Sequence, residues 1–219
     1  MAPRAILFDL DGTLVDSADD IGAALTAALA DADVPPPTGA LVRSWVGGGA
    51  TDLVRKAIAH LAPAAPPTIN ERVLARFYVH YRARPIGATA LYPGLAPVLD
   101  RLADAGRALA VLSNKPHDLT VTIAHALLGA WPFAVIAGAR PGHPLKPDPE
   151  PALIVAAELG VPPEACALVG DAVSDLACAR AAGMMAVAVT WGYRPRAELV
   201  AAMPALLVDD PAELQALAF

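Results

Sequence analysis

Asp9 and Asp11 stand two residues apart where the apolar run Ala5-Ile6-Leu7-Phe8 gives way to Gly12. If that run is a buried strand, both carboxylates leave its end toward one small space. Like charges so placed repel, and a bound cation is the usual relief. The pair is therefore a candidate metal and phosphoryl site. Three further polar stretches have a similar character. Ser113-Asn114-Lys115-Pro116 follows the apolar run Ala108–Leu112. Leu145-Lys146-Pro147-Asp148-Pro149 leads into a helical pattern. Gly170-Asp171-Ala172-Val173-Ser174-Asp175 follows Ala167-Leu168-Val169.

Each residue type suits a part of one reaction. A strand-end carboxylate can attack phosphorus and form an aspartyl-phosphate. A second carboxylate can protonate the departing alkoxide and then deprotonate the attacking water. Mg2+ wants an oxygen shell and usually takes only one or two carboxylates. A hydroxyl, backbone N–H groups and a lysine can hold and neutralise phosphoryl oxygens. Each stretch also has a plain reading. Asp-x-Asp and Ser-Asn are common in turns and caps, Lys-Pro often opens a solvated turn, and Gly-Asp often precedes a helix. Their joint occurrence in this order, each at a loop, favours the chemical reading.

Those residues meet only if the elements beneath them place them together. Strand-like runs recur at Ala5–Leu10, Arg107–Ser113, Phe133–Ala137, Ala165–Gly170, Met185–Thr190 and Ala205–Asp209. Helical patterns lie between them, at Leu95–Ala105, Leu119–Leu128, Pro149–Leu159, Asp175–Ala182 and Pro211–Leu217. This alternation predicts an α/β fold, a Rossmann-like doubly wound parallel sheet. Ligands bind such sheets beyond the carboxyl ends of the strands, at the point where the strand order reverses. The segment from Asp16 to Leu91 breaks the alternation. It offers helices at Ala18–Ala30, Thr38–Val46, Ala50–Leu61 and Ile69–Tyr81, separated by Pro35-Pro36-Pro37 and Pro63–Pro67. The expected organisation is an α/β core of residues 1–15 and 92–219 with an all-helical insert, residues 16–91, acting as a cap.

Composition narrows the partners. The chain has 219 residues, a formal charge of -6 and 56% hydrophobic residues, enough for a core plus an insert. An acidic chain of pI about 5.2 makes nucleic acid and anionic membrane poor partners. Its 16 cationic residues include only three lysines, Lys56, Lys115 and Lys146, so each of the three invites inspection. Cys166 and Cys178 show no zinc or disulfide pattern and read as buried small residues in a reducing compartment. His60, His80, His117, His125 and His143 lack metal-binding spacing. The first apolar run ends at Asp9, too short for a secretion signal, and a cytoplasmic location is expected.

With these motifs in order, the chain resembles haloacid dehalogenase-superfamily phosphatases over nearly its full length. The resemblance implies that Asp9 is the nucleophile, Asp11 the general acid and base, Ser113 a phosphate ligand, and Lys146 the counter-charge to both nucleophile and phosphate. It implies Mg2+ held by the Asp9 carboxylate, the Asp11 main-chain carbonyl and the Asp171 carboxylate. Asp175 would partner Lys146 or a metal-bound water. Within the superfamily the chain is most similar to phosphoglycolate phosphatases. This rests on Asp11-Gly12-Thr13-Leu14-Val15-Asp16-Ser17, the insert segment Val42-Arg43-Ser44-Trp45-Val46-Gly47-Gly48-Gly49-Ala50, Ser113-Asn114-Lys115-Pro116 and Ala181-Ala182-Gly183. Substrate contacts are expected from Ser113, Asn114, Lys146, Arg43 and the Gly47, Gly48 and Gly49 backbone. The glycine run is equally readable as a plain helix connection. Ala172 replaces a common Ser, and Gly48 a common Asn.

The implied activity is Mg2+-dependent hydrolysis of a small phosphate ester, best guessed as 2-phosphoglycolate, by a monomer or homodimer. Alternatives are a sugar-phosphate phosphatase, a pyrophosphatase and a phosphomutase. A dehalogenase would not need Asp11. A phosphonate hydrolase would need a Schiff-base lysine, for which the insert offers only Lys56. A phospho-acceptor signalling protein or a non-catalytic binding protein fits the intact motif set less well.

Overall fold

The run Ala5-Ile6-Leu7-Phe8 forms strand β1 (Ala5–Phe8), with every side chain buried. A strand apolar on both faces needs cover on both, as in a parallel α/β sheet. The computed structural model describes residues 2–218. After β1 come the short strand β2 (Val15–Asp16) and four helices: α1 (Ala18–Ala30), α2 (Gly39–Trp45), α3 (Gly49–Leu61) and α4 (Ile69–Ala83). Strand β3 (Ala90–Leu91) then pairs antiparallel with β2. Alternation follows through α5 (Leu95–Asp104), β4 (Ala108–Pro116), α6 (His117–Leu128), β5 (Phe133–Ala139), α7 (Glu150–Glu158) and β6 (Cys166–Gly170). It ends with α8 (Val173–Ala181), β7 (Met185–Val189), α9 (Arg196–Ala201), β8 (Leu206–Val208) and a 3-10 segment, Pro211–Ala218.

Six strands form one sheet in the order β5-β4-β1-β6-β7-β8, and every pair in it is parallel. From β1 the chain builds outward on one side through β4 and β5. It then crosses to β6 and builds outward on the other. The order therefore reverses at β1, whose carboxyl end is the expected ligand position. Register makes this concrete: Phe8 lies beside Val111 of β4 and Val169 of β6. Ser113 and Asp171, two residues beyond those partners, emerge at the same edge as Asp9.

One face of the sheet packs Leu7, Leu112 and Leu168 against Val155 of α7, Leu176 of α8 and Leu199 of α9. The alternating residues Ile6, Phe8, Val111 and Val169 are also fully buried, so the other face is covered as well. The α/β class with a parallel sheet, expected from the strand–helix alternation, is present. Three features were not expected. The β2–β3 ribbon has two residues per strand, too few to show any alternation. Helix α9 spans six residues, under two turns of pattern. The Pro211 segment is 3-10, not α.

The chain divides into two compact units, Met1–Asp16 with Ala90–Phe219, and Ser17–Thr89. The second is all helical. Its core includes Leu25 and Leu29 of α1 with Val73, Phe77 and Tyr81 of α4, the last two rings 5.5 Å apart. Buried Asp20 of α1 accepts hydrogen bonds from the backbone N–H groups of Gly87 (2.9 Å), Ala88 (2.9 Å) and Thr89 (2.7 Å) and from the Thr89 hydroxyl. The returning chain is thereby clipped to the helix that left. Among the described residues, no helix is long and apolar enough to cross a membrane.

Candidate active site

Asp9 follows β1 directly, and its N–H still donates to the Val169 carbonyl at 2.9 Å, so the strand geometry fixes where its side chain begins. The chain then turns at Gly12, whose φ of +88° lies in the left-handed region. A Cβ there would also sit 2.5 Å from the Asp171 carboxylate. Gly12 thus serves both the turn and the approach of the fourth loop.

Lys146 is the hub of the buried charge. Its Nζ lies 2.9 Å from Asp9 Oδ1 and 2.7 Å from Asp175 Oδ1, and it donates to the Leu112 carbonyl at 2.7 Å. Burial works against its charge, but the Asp175 and Asp9 carboxylates outweigh burial and raise its pKa above the ordinary lysine value. Asn114 holds the lysine loop in place. Its amide N donates to the Lys146 carbonyl at 3.0 Å, and its amide O accepts from the Lys146 N–H at 2.9 Å. These two hydrogen bonds clip the second loop to the third.

Asp11 has a separate cation. Lys115 Nζ lies 2.8 Å from both of its carboxylate oxygens, and both side chains are nearly buried. Lys115 N–H also donates to Ser113 Oγ at 3.2 Å, which orients the hydroxyl beside the strand end. Two carboxylates two residues apart in the chain are thus divided between two lysines.

Asp171 completes the group. It accepts from Thr13 Oγ1 at 3.3 Å and from the Tyr193 N–H at 2.7 Å. Asp175, in the first turn of α8, accepts from the Ala172 N–H at 3.0 Å. This is half of a capping box; Ala172, in the cap position, has no side-chain oxygen to reciprocate.

Carboxylate oxygens of Asp9, Asp171 and Asp175 lie within 4.8 Å of one another, all buried. Burial, then the charge on Asp175 and that on Asp11, push the Asp9 pKa up to about 6 against the pull of Lys146. Burial, then Asp9 and Asp175, push Asp171 up to about 8. Buried carboxylates that resist ionising together in this way suit a hard divalent cation bound by oxygen.

The structure thus brings together Asp9, Asp11, Ser113, Asn114, Lys146, Asp171 and Asp175, all within the α/β unit. Arg43 and Gly47–Gly49 belong to the helical unit. Arg43 lies 3.5 Å from Asp19 in a half-exposed pair, and Gly47 (φ +119°) and Gly49 (φ +83°) make the bend between α2 and α3. Sequence reasoning gave no role to Lys115, Thr13 or Tyr193. The rarity of lysine, and the place of Lys115 two residues after Ser113, were the available signal for the first. Nothing in the sequence marks Tyr193, which reaches Asp171 from the loop after β7.

A parallel sheet whose central strand ends in a divided aspartate pair, facing a lysine and a third carboxylate, is an arrangement suited to phosphoryl chemistry. The model of haloacid dehalogenase-like hydrolases matches residues 3–183, and the chain belongs to that family. It is 38% identical over 212 residues to a phosphoglycolate phosphatase of Rhodospirillum rubrum, covering 95% of this chain and 87% of that one. It is 37% identical over 210 residues to a phosphoglycolate phosphatase of Pseudomonas putida, covering 95% and 77%. Its fold matches the crystal structure of a predicted phosphoglycolate phosphatase from Haemophilus somnus with a TM-score of 0.91 at 28% identity, covering 99% and 98%. The chain is an enzyme, a phosphoric monoester hydrolase similar to these phosphatases.

Proposed function

We propose that the chain is a Mg2+-dependent phosphatase of small organophosphates in the cytosol, working through an aspartyl-phosphate on Asp9. The observation that carries this reading is the division of the aspartate pair, with Lys146 on Asp9 and Lys115 on Asp11. Asp9, at the strand end, attacks phosphorus in line with the ester oxygen. Asp11 gives its proton to that oxygen as the P–O bond breaks, then takes one from the water that hydrolyses the aspartyl-phosphate. Ser113 donates its hydroxyl hydrogen bond to a phosphoryl oxygen, and Lys146 balances the charge that gathers there.

Mg2+ fits the buried acid cluster and would be held by the Asp9 and Asp171 carboxylates and the Asp11 carbonyl. When bound it supplies neutralising charge for the phosphoryl oxygens. Thr13 and Tyr193 hold Asp171 in position for it. Asp175 keeps Lys146 aligned. In the helical unit, Arg43 and the Gly47, Gly48 and Gly49 backbone are proposed to contribute to substrate selection.

The proposed substrate is 2-phosphoglycolate, supported by the similarity to the Rhodospirillum and Pseudomonas enzymes. The test is kcat/KM with Mg2+ across 2-phosphoglycolate, sugar phosphates, pyrophosphate and an aryl phosphate. A clear preference for 2-phosphoglycolate is expected; a flat profile rejects the substrate assignment. Asp9→Asn should leave no turnover of any of them, and appreciable residual turnover rejects the nucleophile.

A further inference from the structure

Among the described residues, Lys115 and Lys146 are the only buried cationic side chains. Their positions differ in kind. Lys146 bridges Asp9 and Asp175, on the side where the phosphoryl group would be attacked. Lys115 sits on the other carboxylate of the pair. Equal distances of 2.8 Å to both Asp11 oxygens place its Nζ at the open end of that carboxylate. The open end is also where a proton must leave for the ester oxygen. A hydrogen bond from Asp11 to the ester oxygen would span roughly 2.7 Å, so the proposed proton transfer would bring the leaving group close to the ammonium that Asp11 holds.

Charge balance points the same way. Asp9, Asp11, Asp171 and Asp175 against Lys115 and Lys146 give a formal charge of four negative and two positive groups. One divalent cation would offset that difference, and a substrate that brings a carboxylate besides its phosphoryl group adds a further negative charge to be balanced. A leaving group that carries its own carboxylate needs a cation on its own side, and Lys115 is the buried one found there. An ammonium has three donors, enough to keep one Asp11 oxygen while turning another N–H to the substrate.

We infer that Lys115 is a specificity residue that binds the carboxylate of an α-phosphoryloxy acid through its ammonium, beside the leaving oxygen. The inference rests on the proposed phosphoglycolate reading and adds a residue to it. The competing role is that Lys115 only holds Asp11. The two differ in which substrates suffer when the charge is removed.

The experiment compares wild type, Lys115→Met and Lys115→Arg, each with Mg2+, on 2-phosphoglycolate and on its uncharged amide, 2-phosphoglycolamide. Loss of a charged hydrogen bond to substrate corresponds to roughly 10- to 100-fold in kcat/KM. Lys115→Met should lose about that factor on the carboxylate beyond its loss on the amide, chiefly in KM, and Lys115→Arg should recover part of it. Equal losses on both esters, carried by kcat, overturn the inference and leave the substrate assignment standing. A wild type that does not prefer the carboxylate to the amide overturns the substrate assignment and this inference together. If circular dichroism shows the Met variant unfolded, Lys115→Gln is read by the same ratio.

Discussion

Replacing Lys146 with Met should be the most damaging single change to the stability of the α/β unit. Met is close in length, so the change removes charge and leaves little void. The ammonium now touches Asp9 at 2.9 Å, Asp175 at 2.7 Å and the Leu112 carbonyl at 2.7 Å. Removing one partner of a buried ion pair costs about 3–5 kcal/mol, because the other charge is left without its counterpart. Here two carboxylates are left, so the upper end of that range applies. Domains of ordinary stability have only about 5–15 kcal/mol in all.

The effect should depend on pH in a definite direction. Asp9 already titrates at about 6, above its ordinary 3.8, even with Lys146 pulling it down. A raised folded pKa contributes stability that is present below 3.8 and is lost as pH rises through the folded value. Without the lysine that folded value moves higher still. At pH 5 Asp9 is mostly protonated in both folded proteins, and its share of the difference is small. At pH 8 each further tenfold weakening of Asp9 as an acid adds about 1.4 kcal/mol to the loss. Urea melts of wild type and Lys146→Met at pH 5 and pH 8, without divalent cation, measure this. A loss below about 1 kcal/mol at pH 8, or the same loss at both values, would refute the view that Lys146 compensates buried carboxylates.

Three further outcomes are expected. Mg2+ should raise the melting temperature more at pH 8 than at pH 6, because Asp171, near 8, and Asp9, near 6, must shed protons before they bind a cation; equal rises in a thermal melt would count against the acid cluster as the site. Gly12→Ala combines a φ of +88° with a Cβ 2.5 Å from the Asp171 carboxylate, so it should cost at least about 1–3 kcal/mol and weaken Mg2+ binding, read by denaturation and by calorimetric titration. Asn114→Ala should cost about 1–3 kcal/mol by removing both side-chain hydrogen bonds to the Lys146 main chain, and should lower kcat, since the amide holds the lysine loop.

The α/β architecture was legible because the strands of the sheet are short apolar runs, three of which, β1, β4 and β6, carry or lead into the polar residues proposed for the chemistry. Ala5–Phe8, Cys166–Gly170 and Met185–Val189 each fall within a run that alternation alone locates. The acid cluster was legible for the same reason: Asp9 and Asp171 follow directly on strands paired in register, and a parallel sheet leaves their ends at one edge. What escaped is what depends on long-range pairing of side chains. The β2–β3 ribbon joins residues about 75 apart through two pairs, and no local pattern announces it.

Asn114 and Lys115 illustrate the harder limit. Both lie in Ser113-Asn114-Lys115-Pro116, and residue type alone suggested substrate contact for the first and assigned nothing to the second. Strand β4 continues through Pro116, but its register against β5 shifts between Leu112 and Pro116, so an irregular stretch of strand carries both residues. Asn114 then meets the backbone of Lys146, while Lys115 meets the carboxylate of Asp11. The irregular end of β4 thus places a cation on the carboxylate proposed for proton transfer, and the amide comparison proposed for Lys115 asks whether that cation also reads the substrate.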